Sequence, residues 1–172
     1  MTNSKSADPS GMSGSTSTGA LEFEWDLIPQ QAARELETLA VRLLQAHEHV
    51  LDPTRGAAFL RTHCAPDFCM LDTNAHEGPL PFAKSLDEHI RNVIAFKKAY
   101  PEFIVSIISV TADVILKRKH AIVWVTTGGS GIADERVFSR ESVCRMSFRY
   151  DAKNGVWLWY KASGMRGHGD FG

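Results

Sequence analysis

No stretch of this 172-residue chain approaches the about 18 consecutive apolar residues of a membrane-spanning helix. The amino-terminal segment Met1 to Ala20 is rich in Ser, Thr and Gly and lacks the apolar run of about 7 to 15 residues that a signal peptide needs. Cysteine is scarce. Cys64, Cys69 and Cys144 are an odd number in apolar surroundings with no CxxC spacing, so they read as core thiols in a reducing compartment rather than a disulfide framework. Cytoplasmic residence is the expectation, with no membrane partner. A net charge of −1 offers nothing to a polyanion, and the longest basic run, Lys117-Arg118-Lys119-His120, falls where a hairpin turn is expected, so no nucleic-acid partner is implied. Gly128-Gly129-Ser130-Gly131 is not a phosphate loop, because no Lys-Ser or Lys-Thr follows and no helix begins there. His63 with Cys64, His47 with His49, and His76 with Glu77 lack the spacing of a zinc site. No metal or cofactor is expected, and no internal repeat is visible.

What remains is ordinary globular material, 44% hydrophobic and 23% charged, enough for one core in one domain. Residues 1–20 cannot bury enough apolar area to offset their ordering entropy and are expected to form a disordered leader. Leu21-Glu22-Phe23-Glu24-Trp25 ends it, with Phe23 or Trp25 expected to pack onto the domain. A helix is expected from about Asp26 to Pro29 until about Val50, because Leu36, Leu39, Ala40, Leu43, Leu44, His47 and Val50 keep the i, i+3, i+4, i+7 spacing of a buried stripe. Asp52-Pro53 has the form of an N-cap with proline at the first helical position, opening a second helix to about His63. Phe68 to Asp72 is a strand candidate, and Asn74 to Pro81 is too broken by Gly and Pro for more than a short edge strand. Ser85-Leu86-Asp87-Glu88 has the capping-box form and opens a third helix carrying Leu86, Ile90, Val93 and Ile94, ended by Tyr100-Pro101.

Beyond Phe103 the pattern is β. The segments Phe103 to Lys117, Ala121 to Thr127, Val137 to Tyr150 and Val156 to Ser163 are rich in β-branched and aromatic residues and are joined by hairpin-like turns, the last ending on Asn154-Gly155. Residues 164–172 are glycine rich and expected to form a flexible tail. The class is α+β.

This element order resembles the nuclear transport factor 2-like, or SnoaL-like, cone fold over roughly Pro29 to Ser163. The resemblance rests on the helix pair meeting Ala65-Pro66-Asp67-Phe68, the helix capped at Ser85, and the closing hairpin with Asn154-Gly155-Val156-Trp157. It implies a cone domain over residues 21–163, with three helices packed in the concavity of a curved, mostly antiparallel sheet. It also implies an apolar pocket and, often, a homodimer through the outer sheet face. Scytalone dehydratase, ketosteroid isomerase, limonene epoxide hydrolase, polyketide cyclases and noncatalytic binding modules share that shape, so the fold alone does not choose a function. Where the dehydratase carries Tyr and Asp on its first helix, this chain offers His47, Glu48 and His49, and its long strands hold no His after His120.

His47 is the leading catalytic candidate, since a neutral imidazole moves a proton near neutral pH; a core histidine bonded to a backbone carbonyl is the alternative. Asp72, at the end of the first strand candidate, is placed to orient His47 or act as a base, though Asp72-Thr73-Asn74 is also ordinary turn chemistry. Glu141, Arg145, Trp124 and Trp159 are pocket candidates, with outer-face strand pairing and plain core packing as the competing uses. The expectation is a cofactor-free lyase, isomerase or cyclase acting on a small hydrophobic, oxygenated molecule of polyketide or terpenoid character. The alternatives are a noncatalytic ligand-binding module and a homodimeric interaction module of the same fold.

Overall fold

The computed structural model describes residues 19–71, 80–131 and 141–166, with side chains for 29–71, 80–131 and 141–164. The first helix, α1 (Gly19–Glu48), begins upstream of Asp26, so Leu21 to Trp25 belong to it. Nothing in that pentapeptide breaks a helix. Pro29 sits inside it, where it removes one main-chain donor without ending the helix. The side chains of Phe23 and Trp25, and the leader before residue 19, lie outside the described residues. Leu36, Ala40, Leu43 and Val50 are buried as the stripe requires, with Leu39 and Leu44 packed against them.

The second helix, α2 (Gly56–His63), starts later than the Asp52-Pro53 signal suggested. Asp52 instead closes a local turn, its carboxylate accepting from the Thr54 N–H at 2.9 Å and the Thr54 hydroxyl at 2.7 Å. Gly56 is where α2 meets the end of α1: a Cβ there would stand 2.3 Å from the Ala46 carbonyl oxygen and 2.5 Å from that of His49. The chain passes from His63 directly into β1 (Cys64–Leu71), several residues before the expected strand start. Pro66 is accommodated because β1 is an edge strand whose register shifts between Cys64 and Cys69.

Helix α3 (Leu86–Ala99) has the expected cap, with the Ser85 hydroxyl accepting from the Glu88 N–H at 3.3 Å. Four long strands follow: β2 (Ile104–Ile115), β3 (His120–Ser130), β4 (Ser142–Asp151) and β5 (Val156–Arg166). The β2–β3 turn is a 3-10 turn closed by Lys119 at φ 51°, and Gly155 takes φ 68° in the β4–β5 turn. The described strands form one sheet in the order β1-β5-β4-β3-β2, antiparallel throughout except for the parallel β1–β5 pair.

One face of this sheet, carrying Ala121, Val123, Val125, Met146, Phe148, Trp159 and Ala162, packs on the helices as a single core. Helix α1 also guards the β2 edge: Glu37 accepts from the Ala112 N–H at 3.0 Å and Glu48 from the Val105 N–H at 3.2 Å. Those carboxylates satisfy donors that an open edge would leave for another chain.

Candidate active site

Two histidines from different helices meet inside the core. His47 is the penultimate residue of α1, and its place in the apolar stripe turns the imidazole inward. His89 lies one turn into α3, on the same face as Leu86, Ile90 and Val93, and is 2% exposed. The Ser85 cap fixes that face, and the His89 N–H bonds to the Ser85 carbonyl at 3.0 Å. The two Nε2 atoms are 2.9 Å apart, with ring planes at 73°. Phe68 of β1 and Trp159 of β5 wall the pair, Phe68 at 5.3 Å from the His89 ring and Trp159 at 6.0 Å, edge to face. The Trp159 indole N–H is spent on the Lys161 carbonyl at 2.9 Å, so the ring presents apolar surface to the histidines.

Hydrogen-bond accounting sets the protons. His47 Nδ1 lies 2.8 Å from the Leu43 carbonyl oxygen, an acceptor, so Nδ1 carries the hydrogen and donates it. The neutral ring then offers a lone pair at Nε2, and His89 Nε2–H donates to it. His89 Nδ1 is left as a bare acceptor, buried and without a hydrogen-bond partner. Burial holds both rings neutral. The His89 pKa is pushed down to about 3, first by desolvation and then by the neighbouring His47. His47 is also lowered by desolvation, but the carbonyls of Leu43 and Leu44 and the Glu48 carboxylate act against that shift.

Of the residues singled out in the sequence, His47 and Trp159 are brought together here. Asp72 lies outside the described residues, and both ring nitrogens of His47 are already engaged by Leu43 and His89. Trp124 and Arg145 are cross-strand partners on the opposite face of the sheet, the guanidinium 5.8 Å from the indole centroid, and Glu141 is an exposed residue just before β4. His89 was missed because the α3 stripe was read from its aliphatic residues alone. Its position three after Leu86 and four before Val93 was the available signal. Among the described residues, no group of three or more His, Cys, Asp or Glu side chains converges to hold a metal.

The architecture matches solved structures over most of their length. A protein from Novosphingobium aromaticivorans described as nuclear transport factor 2-like, with a cystatin-like fold, aligns with a TM-score of 0.62 at 12% identity, covering 92% of this chain and 95% of that one. The chain has the nuclear transport factor 2-like cone fold. Hexachlorocyclohexane dehydrochlorinase LinA-type3 from Novosphingobium barchaimii LL02 aligns on this cone with a TM-score of 0.61 at 14% identity, over 84% of this chain and 91% of that one. The S. rosetta CaMKII hub aligns at 0.55 and 16% identity, over 78% and 96%. No protein-family profile and no curated protein matches the chain. Identities this low speak for the cone and leave the chemistry to the side chains.

Proposed function

We propose that this protein is a cofactor-free acid–base enzyme, a lyase, isomerase or cyclase of small, hydrophobic, oxygenated molecules, with His89 as the base. The observation that carries the reading is the unpartnered His89 Nδ1 lone pair, buried beside a second histidine and two aromatic rings. A buried acceptor without a donor is costly to a fold, so its retention favours a ligand that supplies the donor. An uncharged O–H, or a C–H made acidic by a neighbouring carbonyl, fits that demand. A carboxylate does not, because it would set acceptor against acceptor. Removing the proton leaves an enolate or alkoxide; returning it elsewhere isomerises the molecule, and losing a leaving group eliminates. A dehydrochlorinase among the solved relatives supports catalysis within this cone.

The protein is read as working as a homodimer in the cytoplasm, where its free thiols, Cys64 buried and Cys69 and Cys144 half-buried, stay reduced. The test is turnover of a panel of hydroxylated aromatic and cyclic enone compounds. His89→Gln keeps a hydrogen-bonding side chain but cannot titrate, and is expected to lower kcat by at least about 100-fold at an unchanged melting temperature. Full activity in that variant would end the reading.

A further inference from the structure

The geometry points to a two-ring proton relay in which the positive charge created by catalysis rests on His47 rather than on His89. The inference builds on the base role of His89 and adds a destination for the proton. The path is drawn by the free Nδ1 of His89 and two contacts, the 2.9 Å bond between the two Nε2 atoms and the 2.8 Å bond from His47 Nδ1 to Leu43. When a substrate X–H gives its proton to His89 Nδ1, His89 Nε2 passes its own proton to His47 Nε2. His89 ends neutral in its other tautomer, with Nδ1–H now aimed at the substrate anion. His47 ends with both nitrogens protonated, and charge is conserved: one cation on His47, one anion on the substrate.

The surroundings of the two rings differ in the way this requires. His47 is in the last turn of α1, where the negative end of the helix dipole and the Leu43 and Leu44 carbonyls favour a cation. His89 is in the first turns of α3, where the dipole has the opposite sign. Around the pair, among the described residues, α1 contributes Glu48, α3 contributes Lys97 bonded to Oε2 of Glu48, and β1 and β5 contribute the uncharged rings of Phe68 and Trp159. Glu48 is held in place by Lys97 and by the Val105 N–H, so its carboxylate is a fixed charge near His47. His47 is thus a positioning residue that acts through His89.

Long-range proton–nitrogen spectra of the full chain, with its histidines labelled with nitrogen-15, read each ring nitrogen separately and do not depend on activity. At neutral pH the expected pattern is Nδ1–H on His47 and Nε2–H on His89. On acidification the first proton taken up should convert His47 to the doubly protonated ring and move the His89 hydrogen to Nδ1. Glu48→Gln, which keeps the acceptor for Val105, should lower the pH midpoint of that conversion. A doubly protonated His89 beside an unchanged His47, or a midpoint unmoved in Glu48→Gln, would overturn the relay. The base role is judged separately by turnover of His89→Gln, so either claim can fail while the other stands.

Discussion

Two imidazoles held neutral by burial tie folding stability to pH. A histidine whose folded pKa lies below its unfolded value of about 6.5 binds fewer protons when folded, so stability is complete above that pH and falls as the pH drops toward the folded value. For His89 the window runs from about 6.5 down to about 3, and His47 shifts in the same direction. His89 contributes a slope of about 1.4 kcal/mol per pH unit inside that window. Urea unfolding between pH 7 and pH 4.5 is expected to show this loss, and His89→Gln to flatten it by about one histidine's share. A slope identical in variant and wild type would show that His89 titrates alike in both states. At this scale the sequence was half legible. Helical spacing turned His47 inward and left a core histidine bonded to a backbone carbonyl as one of its two readings, and the Leu43 contact is such a bond. Its second nitrogen faces a residue 42 positions away, and no local pattern encodes that meeting.

Among elements, the α1–α2 joint decides where His47 sits. Gly56 lets α2 start against the carbonyls of Ala46 and His49, and the Gly56 N–H also bonds to the His49 oxygen at 3.2 Å. A methyl group at residue 56 meets backbone, which cannot swing aside as a side chain would. Gly56→Ala is therefore expected to destabilise the protein by about 2 kcal/mol or more, and to weaken the His47–His89 bond by shifting the end of α1. A denaturation midpoint within error of wild type would show that the joint relaxes freely. Helix existence and the Ser85 cap were readable because each is local. Boundaries were less so: Asp52-Pro53 carries the signature of a helix start but spends its carboxylate on Thr54, and β1 begins at Cys64 because Cys64 pairs with Trp159 of β5, a partner far along the chain.

For the whole molecule, strand order was beyond the reach of periodicity, because the parallel β1–β5 pair is set by how the helices fold the chain back over the sheet. Alternation separated two faces but did not say which of them meets the helices. Val123 and Val125 are buried while Trp124 between them is 39% exposed, and Ile104 and Ile108 on β2 are 58% and 52% exposed. Arg145 stacks on Trp124, and Arg149 lies over Tyr160 while pairing with Asp67 through both of its terminal nitrogens. Trp, Tyr and Arg on a sheet face that carries no helix among the described residues are the residue types that dominate binding energy in protein interfaces. A second copy related by a two-fold axis would cover this face with its own equivalent, and such a homodimer is the expected state. Light scattering across micromolar concentrations is expected to find a dimer. Trp124→Glu should shift it to monomer, because the symmetric contact would bury an unpaired carboxylate from each copy, a loss of about 2 kcal/mol or more per site. The circular dichroism of that variant should stay unchanged, since residue 124 points away from the core. A wild-type monomer that persists as concentration rises, or a Trp124→Glu dimer as tight as the parent, would remove this face as the interface.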